Sequence, residues 1–290
     1  GVGSALFFNS SMNIVVNMVE KEDRGDAMGV FQGIEFTGSF MGAPVGGLLA
    51  ATFGFKFVFT IAAGILILAV IIMVVSKELK EATSLEVTQA QRGVRNGTWK
   101  DSLKAMQDYV FVVVCLTGFI RMFAMMGVFS TILPLYLSIR LGFDVATIGI
   151  LMGTRSIGMS VANFLAGRVA RIAGKPGVFV SSLLLTAITI IGMLFFPSFE
   201  AQAFLFLIGG MGVGVLMPLL PVTIAEVINP SIRGTAIGFF RTSFAVGAII
   251  APILLTWIST TWGMEICFYL VAFLLLFNAF FSYTLRGRID

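Results

Sequence analysis

Nine stretches of this chain are apolar for long enough to cross a bilayer, and that decides what it can fold into. They run roughly over 2–19, 27–50, 55–75, 109–133, 144–166, 177–196, 203–225, 235–258 and 264–285. A hydrocarbon layer about 30 Å thick is spanned by about 20 apolar residues in a helix. Backbone N–H and C=O groups find no water there, so each span must satisfy its own hydrogen bonds. The reading is an all-α membrane protein. Composition agrees: 58% of residues are apolar and 12% charged, against about 25% charged in soluble domains. The first run opens with neither a methionine nor a basic leader. It is therefore no signal peptide, and the expectation is a fragment that starts partway into a longer protein.

Several chemistries fall away at once. The chain has no histidine, so it lacks the commonest general base and metal ligand. Its two cysteines, Cys115 and Cys267, lie inside apolar runs with no CxxC spacing and read as buried small hydrophobes. No phosphate loop or metal cluster is written in it. An enzyme is not expected, nor a bound cofactor or metal.

The net charge of +4 has a membrane explanation. Of 19 Lys and Arg residues, 14 fall in loops on one side of the predicted membrane and two, Lys56 and Arg140, on the other. Arg121, Arg155 and Arg241 lie within spans. By the positive-inside rule the rich side is cytoplasmic. The chain then starts outside and ends inside, with the C-terminus and the polar linker 76–107 in the cytoplasm. The expected partners are the bilayer and a small-molecule substrate, with no nucleic acid, for a monomer in the plasma or inner membrane. In the linker, Trp99, Lys100 and Lys104 suit either an interfacial helix or a solvated connection.

The chain also repeats itself. DRGDAMGVFQGIEFTG, 23–38, is echoed 209 residues later by IRGTAIGFFRTSFAVG, 232–247. Arg24/Arg233, Gly25/Gly234, Ala27/Ala236, Gly29/Gly238, Phe31/Phe240 and Gly38/Gly247 coincide. Each copy follows a span that exits on the basic side and opens the next span outward. That describes parallel six-helix repeats packed around a central site. Residues 1–76 are read as the end of a first bundle, 77–107 as a linker and 108–290 as a second bundle of six helices. The first three helices of the first bundle are expected to be missing.

Three patterns resemble the major facilitator superfamily of secondary transporters, over its fourth to twelfth helices. One is RGxAxG, present twice. The second, GSFMGAPVGG at 38–47, resembles the fifth-helix pattern GxxxGPxxGG of drug:proton antiporters through Gly38, Gly42, Gly46 and Gly47, with the proline one place later at Pro44. The third, 141–177, ends in a basic loop similar to GxLaDrxGRR. Gly167, Arg168, Gly174 and Lys175 match it, and Arg171 stands where the family has aspartate. The resemblance implies the two-bundle fold and transport by alternating access. It also implies lipid-facing sixth, ninth and twelfth helices, and the corresponding runs carry no mid-span charge.

The candidate functional residues follow from charge at membrane depth, where an unpaired ion costs several kcal/mol. Arg121 lies about 20 Å along its helix from Asp108, and Arg155 about 20 Å from Arg168. Each either pairs with a carboxylate on another helix or lines a cavity, where it binds an anion or controls a coupling acid. Glu35 either carries a proton or neutralises an arginine. Gln32 and its repeat partner Arg241 suit a hydrogen-bonding role where the halves meet, or substrate contact. Asn9, Asn13 and Asn17 share one helix stripe, open to substrate or to helix–helix bonding. Phe119, Phe123, Met122, Met125 and Met126 suit an apolar ligand, lipid or core. The resemblance pairs Glu226 with Arg233 as a cytoplasmic gate. Pro218 and Pro221 should bend the tenth helix. The leading expectation is proton-coupled efflux of an amphipathic, drug-like solute, with the proton gradient as driving force. Uptake or exchange of a small organic anion is the alternative. A non-transporting receptor or scaffold on the same fold is the reading from another class.

Overall fold

The computed structural model describes residues 11, 14, 15, 18–20, 23–76, 107–229 and 232–287, without the side chains of 35–36, 39–48, 50–51, 73–74 and 145–146. Asn9, Asn13, Asn17 and most of the linker lie outside the described residues. Among those described, every regular element is helical. They are α1 (Arg24–Phe53), α2 (Phe55–Val75), α3 (Tyr109–Phe123), a π-helical stretch (Ala124–Ile132) running on into α4 (Leu133–Ile139), α5 (Val145–Ala173), α6 (Lys175–Phe195), α7 (Phe199–Val227), α8 (Arg233–Trp262) and α9 (Met264–Tyr283). With α3 to α4 taken as one rod, seven described helices are long and apolar enough to cross a membrane.

The helices outrun their apolar stretches. α5 continues to Ala173 and α7 begins at Phe199, whereas hydropathy fades at 166 and 203. Hydropathy stops at the first polar residue, but a helix stops at a cap. Asp108 Oδ1 accepts the N–H of Val110 at 2.8 Å and of Phe111 at 3.2 Å. Asp144 does the same for Thr147 at 3.0 Å, and Ser198 for Ala201 at 3.4 Å. Arg171 sits in the last turn of α5, where positive charge suits the helix dipole. Pro218 and Pro221, expected to bend the tenth helix, lie buried within the single helix α7.

Elements α3 to α9 share one apolar core. Glycines let their backbones touch. A Cβ on Gly210 would lie 2.2 Å from the Arg155 carbonyl oxygen, and one on Gly214 2.6 Å from that of Met159, so α5 and α7 meet backbone to backbone. The same holds for α3 and α8, where a Cβ on Gly247 would lie 2.6 Å from the Phe119 carbonyl oxygen. Lipid offers helices no hydrophobic reason to associate, and close backbone approach supplies van der Waals contact instead. α1 joins this bundle through α5 and α7. α2 packs on α1 and exposes Ile65, Leu66, Ile67 and Leu68 along its length, as an outer, lipid-facing helix would.

Candidate functional site

The contact between α1 and α5 joins the two repeat units, and it is built on glycine. Gly25, Gly29 and Gly33 recur every four residues and so share one face of α1. A Cβ on Gly29 would lie 2.3 Å from the Asn163 carbonyl oxygen, and one on Gly33 2.8 Å from the Phe164 ring. From the other side, a Cβ on Gly167 would lie 2.1 Å from Asp26 Oδ1. The repeat drew attention to Gly25 and the motif to Gly167. Gly33 was missed, although the four-residue spacing could have found it. The second copy is used differently: around Gly234 and Gly238 no described atom lies within 4 Å of an added Cβ. Gly38 is likewise open. Gly42, Pro44, Gly46 and Gly47 lie within α1, but their surroundings fall outside the described residues.

One end of this seam is closed by charge. Arg171 donates to Asp26 Oδ2 at 2.5 Å and lies 3.6 Å from Asp23 Oδ1. Asp26 is in the first turn of α1 and Arg171 in the last turn of α5, so each helix dipole favours the charge it carries. The departure from the family pattern at Arg171 therefore has a use: it meets acids supplied by the first repeat. The expected Glu226–Arg233 pair is not what forms, because Glu226 pairs with Lys175. The reason is topological. Lys175 is the first residue of α6, which packs on α7 and brings it to the last turn there. Arg233 instead is the first residue of α8, as Arg24 is of α1. Arg168 is exposed at that end, and Gly174, at φ 70°, links α5 to α6. A cavity of about 580 Å³ opens beside it, walled by Pro176, Ser181, Tyr283 and Arg286 but not by the deep arginines.

At membrane depth, Arg121 is 2% exposed and Arg155 6%. No nitrogen of Arg121 has a hydrogen-bond partner, nor do Nε and Nη2 of Arg155. Neither pairs with a carboxylate among the described residues. What each does have is a phenyl ring. Phe244 of α8 lies 4.8 Å from the Arg121 guanidinium carbon, and Phe129 4.2 Å from that of Arg155. A buried ion carries a penalty of several kcal/mol, and a desolvated cation–π contact returns about 2 kcal/mol. Phe129 was not singled out from sequence. It lies in the π-helical stretch that begins three residues beyond Arg121, and such widened turns recur at functional sites. Nothing in AMMGVFSTI signals the change of pitch.

Two aromatic pairs lie on α3 and α8: Phe119 and Phe123 have ring centroids 6.0 Å apart, and Phe240 and Phe244, the ring over Arg121, 5.8 Å. Gln32 is buried at 2% exposure with its Oε1 unbonded. Arg241 is half-buried on α8. The Glu35 side chain falls outside the described residues.

A family model for the Major Facilitator Superfamily matches residues 1–146 and again 114–289. Sugar efflux transporter A of Escherichia coli K12 is 27% identical over 233 residues, which is 80% of this chain and 56% of that protein. Multidrug resistance protein MdtG of Citrobacter koseri is 22% identical over 290 residues, covering 97% of this chain and 69% of its own length. The chain thus spans between about half and two thirds of these relatives' lengths. The crystal structure of the human organic anion transporter MFSD10 (TETRAN) matches with a TM-score of 0.73 at 19% identity, over 94% of this chain and 67% of that one. At that identity the likeness is one of fold.

Proposed function

The chain belongs to the Major Facilitator Superfamily, a family of multi-pass membrane transporters rather than enzymes, and on that footing we propose that it exports a small amphipathic solute by alternating access. The observation that carries this reading is the seam between α1 and α5. Gly25 and Gly29 meet backbone on backbone there, and Gly33 receives the Phe164 ring. Its closed end is held by the half-exposed Arg171–Asp26 ion pair, and such a pair is worth about 0–1 kcal/mol. An end held so weakly can part at small cost, which rocking one repeat unit against the other requires. The names of two relatives, a sugar efflux transporter and a multidrug resistance protein, support outward movement of small solutes. The proton gradient drives the cycle, and the protein works as a monomer in the inner or plasma membrane without a bound cofactor.

The test is flux. The full-length protein in liposomes, given an inward proton gradient, is expected to move at least one member of a panel of neutral, cationic and anionic amphiphiles. The movement should stop when the gradient is collapsed. Ligand binding without flux of any solute would favour the receptor reading instead.

A further inference from the structure

Two buried guanidinium groups are left over when the seam is accounted for. Arg121 on α3 and Arg155 on α5 are 2% and 6% exposed, and five of their six nitrogens are buried without a hydrogen-bond partner. The guanidinium carbon of each lies over a phenyl ring, Phe244 and Phe129 respectively. A ring face attracts the charge but offers no oxygen to the N–H groups, so those donors remain unmet. Each is a buried ion whose N–H groups are largely unmet. An internal acid would relieve this, but neither arginine pairs with one among the described residues. A guanidinium edge matches a carboxylate through two parallel hydrogen bonds. Beside Arg121 the Phe244 ring, paired with Phe240, offers an apolar surface.

The geometry points to Arg121 and Arg155 as the binding site for an amphipathic organic anion, whose carboxylate or sulfonate takes the unmet guanidinium N–H groups while its apolar body lies on the Phe240 and Phe244 rings. This inference rests on the transport reading only for the route by which the ligand reaches a site closed to solvent in this structure. It gives the solute of that reading a charge.

Binding is measured apart from flux. Full-length protein in detergent is titrated calorimetrically with 2-naphthoate, 2-naphthalenesulfonate and naphthalene-2,6-dicarboxylate, and with 2-naphthamide, which keeps the rings and lacks the charge. At least one acid should bind about tenfold or more tighter than the amide, as expected for charge-assisted bidentate bonding. Arg121→Gln and Arg155→Gln should each remove that advantage and leave amide binding as it was. Arg121→Met serves as the control for folding. Without ligand it should melt at a higher temperature than the wild type, since it replaces an uncompensated buried charge with apolar volume. A lower melting temperature would mean that the arginine is already paired in the folded protein, and would overturn the inference. So would equal affinity for acid and amide, or binding of none of the acids. Acid binding without flux removes transport and leaves the site; flux of neutral amphiphiles without acid binding removes the site and leaves transport.

Discussion

Gly174 holds φ 70° and ψ 151° between the last turn of α5 and the first residue of α6. Only glycine takes that backbone without strain. Gly174→Ala should therefore destabilise the protein by about 1–3 kcal/mol, seen as a lower melting temperature. It should also loosen the neighbouring Lys175–Glu226 pair. Asp144, fully exposed, caps α5, and hydrogen bonds from the Thr147 hydroxyl and backbone N–H hold its carboxyl below the usual aspartate range. A lowered carboxyl stabilises the fold at neutral pH, and that support is lost as pH falls through its folded value. Amide exchange in the first turn of α5 should accordingly quicken below about pH 4. In Asp144→Asn, which caps without titrating, the profile should be flat. At this scale the sequence was informative about chemistry and silent about partners. Arg121 and Arg155 stood out because a charge inside an apolar run is conspicuous. Their phenyl neighbours did not, because a phenylalanine in a membrane span is ordinary.

Between elements, backbone contact sets the geometry of the site. Gly210 of α7 lies against Arg155 of α5, where a Cβ would come within 2.2 Å of the carbonyl oxygen. Gly210→Ala should force α5 and α7 apart, destabilise the bundle by about 1–3 kcal/mol and shift Arg155 away from Phe129. Thermal melting reads the first effect, and weakened binding of the naphthalene acids reads the second. Gly238→Ala on α8 is the matched control, since its added Cβ meets no described atom within 4 Å, and its melting temperature should equal that of the wild type. Helix boundaries were legible in the sequence to within several residues because caps such as Asp108, Asp144 and Ser198 sit close to the apolar runs. The π-helical stretch was not, because a local change in hydrogen-bond register leaves no mark in hydropathy.

Across the whole molecule, the transport reading proposed above makes the seam between α1 and α5 the joint that opens. Reversing one charge, Arg171→Asp, sets three carboxylates together at its closed end, with Asp23 and Asp26. Spin labels placed across that end should then report an open population raised by up to about fivefold, the reach of an exposed pair. The double exchange Asp26→Arg with Arg171→Asp should restore the wild-type distance distribution; a distribution unchanged by Arg171→Asp alone would mean that the pair holds nothing shut. The sequence by itself determined the helical class, the approximate spans and the recurrence of one Arg-Gly helix start. Those are local properties: a bilayer demands about 20 apolar residues at each crossing, and a repeat that keeps its glycines and arginine in register shows in the letters. Only the tertiary structure decided that Glu226 meets Lys175 rather than Arg233, that Asp26 meets Arg171, and that Gly25 and Gly29 bear a neighbouring helix while no described atom lies within 4 Å of a Cβ added at Gly234 or Gly238. It alone set Phe244 over Arg121 and Phe129 over Arg155. Which helix lies beside which, and how each is turned about its axis, is settled by close packing, and hydropathy cannot encode it because lipid and protein interior are equally apolar.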